Sequence, residues 1–223
     1  MNEALFAAHI LLVLGFVFAA LRLGKSALVA LVALQAVLAN LFVVKQMPLF
    51  GFVVTCSDVF AIGSILALNL LQEVYGKEAA QRAIKTSFLA LLFFALMSQV
   101  HLFYTPSETD AAHEAFQTIF SSTPRIVVAS IAVFFLVQKI DVRLFGWLKE
   151  KFEGRKFPFR VGISLLISQL LDTVLFSFAG LYGLVESIFD IILVSFLVKC
   201  LIIACSSALV TFSKRFIKDE ISV

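Results

Sequence analysis

Long apolar stretches separated by short polar connections run along the whole chain. Seven such runs extend roughly from Ala4 to Leu21, Ala27 to Val44, Phe52 to Leu71, Thr86 to Tyr104, Ile126 to Val137, Val161 to Leu181 and Ile188 to Phe212. Spanning about 30 Å of hydrocarbon takes roughly 20 helical residues, whereas a buried helix of a soluble protein needs only about 10–14. The pattern therefore predicts an all-α, polytopic membrane helix bundle that forms a single transmembrane domain, residues 1–223.

The fifth apolar run is too short to span a bilayer unless it extends at both ends. Including Arg125 on one side and Gln138 to Phe145 on the other gives a sufficient length. This extension predicts a helix with polar side chains at both of its edges.

Composition supports a membrane protein and narrows its chemistry. The chain is 61% hydrophobic and 15% charged, against about 45–50% and about 25% in soluble domains. The net charge of +3 does not indicate a nucleic-acid partner. Cys56, Cys200 and Cys205 lie in apolar runs without metal-ligand spacing, so we expect free thiols and neither a metal ion nor a cofactor. The sequence has no GxxxxGK[ST] motif, hence no P-loop of its own for ATP hydrolysis.

Lysine and arginine are distributed unevenly between alternate connections. One side holds Arg22, Lys25, Lys77, Arg82, Lys85, Arg143, Lys149, Lys151, Arg155, Lys156, Arg160, Lys214, Arg215 and Lys218. The other side holds little more than Lys45 and Arg125. The positive-inside rule then predicts an external N-terminus and a cytoplasmic C-terminus in a bacterial inner membrane. This arrangement requires an odd number of spans, and seven satisfies it.

Two connections are predicted to lie at the membrane surface. The segment from Thr105 to Thr123 mixes acidic and apolar residues, which favours a short interfacial helix or lid over a disordered loop. The basic segment from Gly146 to Pro158 carries interleaved aromatic side chains, which suits contact with anionic lipid. The N-terminus lacks the basic region of a secretory signal, so the first run is expected to be a retained helix.

Polar residues within the predicted spans are the candidates for function, because such groups are costly in hydrocarbon and tend to face a pathway. They are Gln35, Asn40, Asp58, Asn69, Gln72, Glu73, Arg125, Ser130, Gln138, Asp141, Ser164, Ser168, Gln169, Asp172, Thr173 and Lys199. Asn40 suits either an interhelical hydrogen bond or a ligand contact. Glu73 and Asp141 lie near the inner boundary, where solvation or pairing with nearby cations is an equal alternative to ligand binding.

Two of these residues have opposite charges at matching depth. Asp172 lies roughly 18 Å, and Lys199 roughly 20 Å, from the inner end of its span at about 1.5 Å per residue. A carboxylate and an ammonium in mid-membrane are much less costly as a pair than apart. We therefore predict that Asp172 and Lys199 approach each other, either as a permanent structural pair or as a site where a ligand competes for one partner.

The ordered set of polar positions resembles the queuosine precursor transporter family, also known as the vitamin uptake transporter family. The matching positions are Asn40, Glu73-Val74-Tyr75-Gly76, Ala79 to Arg82, Arg125, Ala129-Ser130, Gln138, Asp141, Ser168-Gln169, Asp172-Thr173, Phe176 and Lys199. The sequence departs from the family pattern at Asn69, where members often have an acidic residue. The resemblance implies a six-helix core, about residues 27–212, with an extra N-terminal helix at about 4–21.

The resemblance also implies a substrate, namely a 7-deazaguanine such as preQ0, preQ1 or queuine. A carboxylate can accept two adjacent N–H donors of a guanine-like edge, and amide or cationic side chains suit its carbonyl oxygen. Asp172 and Glu73 are the expected carboxylates, and Phe134, Phe176 or Phe178 could stack on the ring. The expected substrate-binding set is Asn40, Asn69, Glu73, Arg125, Ser130, Gln138, Asp141, Gln169, Asp172, Thr173 and Lys199.

Several functional alternatives remain open at this stage. The leading hypothesis is a self-sufficient carrier working by alternating access, and the second is a substrate-binding subunit of an ATP-driven importer that needs partner proteins. An intramembrane enzyme is disfavoured, since no GxSxG, HExxH or convincing catalytic Asp pair occurs. A purely structural role leaves the polar groups at matched depth unexplained. The expected partners are the small-molecule substrate and membrane lipid, and a homodimer is compatible with the pattern.

Overall fold

The computed structural model describes residues 1–55, 57–151 and 157–201. Some residues of the sequence predictions lie outside this description. They are the thiols Cys56 and Cys205, the charged residues from Lys214 onward and part of the basic segment from Gly146 to Pro158. The helices are α1 (Asn2–Leu23), α2 (Lys25–Phe42), α3 (Asp58–Tyr75), α4 (Lys77–Leu102), α5 (His113–Phe120), α6 (Thr123–Lys151) and α7 (Phe157–Phe176). A π-helical turn, Ser177–Leu181, continues α7. A last helix, α8, is described over residues 188–201.

Six segments of the described chain are long and apolar enough to cross a membrane. They are Asn2–Leu23, Lys25–Phe42, Asp58–Tyr75, Lys77–Leu102, His113–Ile140 and Ile163–Leu181. These correspond to the first six predicted runs. The seventh run begins at α8, but its second half lies beyond the described residues. The predicted polytopic helix bundle is therefore confirmed.

The fifth span has the extension that its short apolar run required. It belongs to α6, which begins at Thr123 and continues to Lys151. The preceding connection contains the helix α5, as predicted, with eight residues from His113 to Phe120. Its Phe116 and Phe120 rings stack on each other at 5.5 Å between centroids.

Two glycines allow consecutive helices to follow each other almost without a loop. Gly24 separates α1 from α2 with φ 99°, and Gly76 separates α3 from α4 with φ 84°. Most side chains avoid positive φ because of their Cβ, whereas glycine adopts it readily. These turns hold α1 to α4 in one cluster, whose core includes Val17, Leu28 and Leu70.

The third apolar run is not one continuous helix. Its first residues form an antiparallel hairpin of β1 (Gln46–Leu49) and β2 (Phe52–Thr55), and α3 begins only at Asp58. The prediction of a span starting at Phe52 was therefore wrong at this end. The physical reason is local, since β2 contains three β-branched residues in four positions and Pro48 removes a backbone donor from β1.

The hairpin is attached to the beginnings of two helices. The Asn2 side chain of α1 donates to the Pro48 carbonyl at 2.8 Å, and the Val53 backbone N–H donates to Asp190 Oδ2 of α8 at 3.2 Å. The backbone N–H of Glu186, just before α8, donates to Gln46 Oε1 at 2.8 Å. The hairpin thereby joins α1 to α8 at one end of the bundle.

Candidate functional site

A polar cavity lies at the hairpin end of the bundle, between α2, α3, α6, α7 and α8. Its volume is about 170 Å³, below the roughly 300–1,000 Å³ of pockets for drug-sized ligands. Its polar lining consists of Asn40, Thr55, Ser57, Asp58, Ser130, Asp172, Thr173, Ser177, Ser195 and Lys199. A small, polar ligand is the class of molecule that this space suits.

Asp172 of α7 and Lys199 of α8 form an ion pair in this cavity. Lys199 Nζ donates to Asp172 Oδ2 at 2.7 Å and to Thr173 Oγ1 at 3.0 Å. The Lys199 side chain is 13% exposed, whereas Asp172 keeps 33% of its side chain accessible. The approach of these two residues predicted from their depth is thus confirmed. The carboxylate retains acceptor capacity on the open side of the pair.

A second carboxylate enters the cavity from the first turn of α3. Asp58 is only 6% exposed, and its Oδ2 accepts a hydrogen bond of 2.9 Å from Ser195 Oγ. Ser195 and Lys199 are four residues apart on α8 and so share a helical face. Asp58 was among the polar candidates of the sequence but not in the expected substrate-binding set. The spacing of Ser195 and Lys199 indicates a polar face on α8, but nothing in the sequence shows that Asp58 contacts this face.

Asn40 of α2 is buried at the cavity, and one of the two polar atoms of its side-chain amide has no described hydrogen bond. Its Nδ2 donates to the Ala36 carbonyl at 2.9 Å in the preceding turn. Its Oδ1 is buried and has no hydrogen-bond partner among the described residues. An unsatisfied buried acceptor costs about 1–3 kcal/mol. A ligand N–H placed next to Asn40 would remove this cost.

Five of the predicted site residues line the cavity, namely Asn40, Ser130, Asp172, Thr173 and Lys199. Asn69, Glu73, Arg125, Gln138 and Gln169 are not part of its lining. Distance along a helix explains two of these: Glu73 is about 22 Å along α3 from Asp58, and Gln138 is about 12 Å along α6 from Ser130. Gln169 contacts the network through its backbone carbonyl, which accepts a hydrogen bond of 2.8 Å from Thr173 Oγ1. Asp141 belongs to α6, and its side chain lies outside the description.

Phe176 is the aromatic residue in the lining. Of the other two rings considered from the sequence, Phe134 packs edge-on against Phe88 with centroids 4.9 Å apart. Phe178 is 45% exposed. Phe176 is therefore the ring positioned to stack on a ligand in this cavity.

Arg125 supports the wall of the cavity from outside. Its Nε donates to the Ala179 carbonyl at 3.0 Å, inside the π-helical turn whose Ser177 and Leu181 line the cavity. A π-helical turn leaves backbone groups displaced from the regular α-helical pattern, and such turns are frequent at functional sites. The contact makes Arg125 a positioning residue for this turn.

Replacing Arg125 with Leu should therefore loosen the turn. An exposed hydrogen bond of this kind contributes about 0.5–1.5 kcal/mol, which lowers Tm by roughly 2–5 °C in a chain of this size. Thermal unfolding of the purified protein in detergent measures the change. Lys139→Leu, which removes an exposed cation from the same helix, is the matched control. Equal shifts in the two variants would contradict the role given to Arg125.

Comparisons with known proteins agree on one family. The family model described as "Putative vitamin uptake transporter" matches residues 55–212. A curated relative, "Probable queuosine precursor transporter" of Bacillus subtilis (strain 168), is 33% identical over 163 residues, which is 71% of this chain and 71% of the relative. No solved structure matches. The matched region contains Asp58, Asp172, Ser195 and Lys199, while Asn40 lies before it.

Proposed function

The chain belongs to the vitamin uptake transporter family, and from this premise we propose that it imports a 7-deazaguanine precursor of queuosine by alternating access. It is a multi-pass membrane transporter and not an enzyme. The name of the Bacillus subtilis relative supports the class of substrate. The observation that carries the proposal is the ion pair of Asp172 and Lys199, which lines a small polar cavity.

The chemistry of a deazaguanine matches the groups around this pair. The accessible side of the Asp172 carboxylate would accept the ring N1–H and the exocyclic amine, a bidentate arrangement that favours charge-assisted hydrogen bonds. Lys199 would donate to the adjacent carbonyl oxygen of the base. Asn40 Oδ1, which lacks a partner, would accept a further ring N–H, and Phe176 would lie against the ring face. Binding would thus exchange part of the ion pair for contacts to the base.

The hairpin would act as the outer closure in an alternating-access cycle. Under the positive-inside orientation, the N-terminus and hence the hairpin lie on the external side of a bacterial inner membrane. The hydrogen bonds from Val53 to Asp190 and from Glu186 to Gln46 hold it against α8. Breaking these few contacts would open the cavity outward without unfolding a spanning helix. The alternative of a subunit in an ATP-driven importer receives no support from the family or the relative, whose names describe transporters.

Uptake in a precursor-dependent host tests the proposal. A bacterial strain that neither makes queuosine precursors nor imports them receives this chain, and each candidate base is added to the medium. We expect queuosine-modified tRNA to appear with at least one 7-deazaguanine, as measured by mass spectrometry of digested tRNA. Purified chain in proteoliposomes, tested with the same labelled base, establishes whether it works without partner proteins. Absence of modification with every base would refute the substrate assignment.

A further inference from the structure

The charged groups of the cavity do not balance. Its described lining contains the carboxylates of Asp58 and Asp172 and one ammonium group, that of Lys199, which leaves one negative charge in excess when all three are ionised. We infer that the site takes a cationic ligand, a 7-deazaguanine bearing an alkylamine, and that Asp58 is the counter-ion of that amine. This inference rests on the proposed function and refines its substrate.

The partners of the two carboxylates lie one turn apart on α8. Asp172 is bound by Lys199, whereas Asp58 is bound by Ser195. Ser195 and Lys199 are four residues apart, so they differ by about 6 Å along the axis of α8. A bicyclic base held at Asp172 by its guanine-like edge would extend across this distance. Its substituent on the opposite side would then lie near Asp58.

The partners of Asp58 are what make an amine the favoured occupant. Among the contacts described, its side chain receives one hydroxyl hydrogen bond, and it lies almost completely buried. The ammonium group of Lys199, across the cavity, donates its described hydrogen bonds to Asp172 and Thr173. A buried carboxylate without an ion pair of its own is costly, and a ligand ammonium group would supply that pair. A second observation points to a ligand at the same place. Asn40 is more than nine-tenths buried, lines the same cavity and keeps its Oδ1 without a partner among the described residues.

A base with a neutral substituent would bind to this site more weakly. The nitrile of preQ0 offers only an acceptor, so it would leave Asp58 without an ion-pair partner of its own. The aminomethyl group of preQ1 is protonated at neutral pH and can donate to the carboxylate. A site built around a polar group discriminates strongly against an analogue that leaves that group unpaired. We therefore expect the aminomethyl base to bind at least tenfold more tightly than the cyano base.

The first test measures how strongly each unlabelled base competes with a labelled base for uptake by the unmodified protein. Uptake of a labelled aminomethyl base into proteoliposomes is measured with increasing unlabelled aminomethyl or cyano base on the external side. At least tenfold stronger inhibition by the aminomethyl base supports the inference. Equal inhibition, or stronger inhibition by the cyano base, overturns it and leaves deazaguanine transport intact. If neither base is transported or bound, the proposed function fails first, which is a distinct result.

Asp58→Asn provides the second test, with Asp110→Asn as the matched control. Asp110 is an exposed aspartate in the connection before α5 and does not line the cavity. Asp58→Asn should weaken binding of the aminomethyl base at least tenfold and change binding of the cyano base less than threefold, whereas Asp110→Asn should keep the wild-type ratio. A proportional loss for both bases in Asp58→Asn would overturn the role as counter-ion. Should that variant not fold, the competition on the unmodified protein decides.

Discussion

Replacing Lys199 with Met should abolish uptake and destabilise the fold. Adding Asp172→Leu should restore the stability but not the uptake. The single change leaves Asp172 without its cation, and breaking a buried pair destabilises a protein by up to about 3–5 kcal/mol. Because Asp172 keeps a third of its side chain accessible, the cost here is smaller, about 1–3 kcal/mol. The Asp172→Leu and Lys199→Met double variant removes both charges. Such apolar replacement of an ion pair is often neutral or stabilising.

The double variant separates a structural role from a transport role. We expect its abundance and Tm to return to about the wild-type level while kcat/KM for uptake stays at least a hundredfold lower. The double variant removes the three charge-assisted hydrogen bonds proposed for the base, at about 1.5–3 kcal/mol each, so a hundredfold loss is the lower bound of the expected effect. Lys139→Met, a charge removal at an exposed position of α6, should leave uptake unchanged. Wild-type uptake by the double variant would mean that the pair only joins α7 to α8.

Gly63→Leu should cause the largest loss of stability outside the cavity. Gly63 lies in α3 where this helix meets α1 and α2, and a Cβ there would overlap Val13 and come within 2.7 Å of Gln35 Oε1. Gln35 is 3% exposed and accepts a hydrogen bond of 3.0 Å from Ser64 Oγ, so it has little room to move. Small residues at such contacts let membrane helices approach closely. Overpacking typically costs about 1–3 kcal/mol, and more for several added carbons.

Gly15→Leu is the matched control for this prediction. Gly15 is also a helical glycine, in α1, but a Cβ at that position has open space within 4 Å. We expect Gly63→Leu to lower Tm in detergent by roughly 5–10 °C, or to prevent accumulation of folded protein, whereas Gly15→Leu should change Tm by less than about 2 °C. Size-exclusion chromatography and thermal unfolding measure both effects. Similar behaviour of the two variants would show that close packing at Gly63 is unimportant.

The helix bundle and one central contact could be predicted from the sequence because they depend on local properties. A run of about 20 apolar residues forms a spanning helix whatever its neighbours are, since backbone groups in hydrocarbon must be satisfied within the segment. The meeting of Asp172 with Lys199 followed from charge and depth, which are both counted along the chain. The extension of the fifth helix followed in the same way.

The sequence located residues least well where depth and helix rotation had to be combined. Glu73 was expected at the site as a carboxylate at a family position, and it lies far along α3 from the residue of that helix that enters the cavity. Arg125, also expected to bind substrate, donates to the Ala179 carbonyl of the π-helical turn. Substrate binding by either residue stays a prediction. The hairpin at residues 46–55 was missed because its strand residues are apolar enough to continue the run that becomes α3.

The sequence by itself determined a polytopic bundle and the meeting of one carboxylate with one ammonium group, because hydropathy, charge and rise per residue are properties of a single chain segment. The orientation in the membrane stays a prediction. Only the tertiary structure decided that Asp58 faces Lys199 and Ser195 across the cavity, and that Asn40 keeps a buried oxygen without a described partner. Which face a helix turns inward depends on how side chains of neighbouring helices pack together. That packing depends on all the helices together, so it cannot be predicted from any single segment.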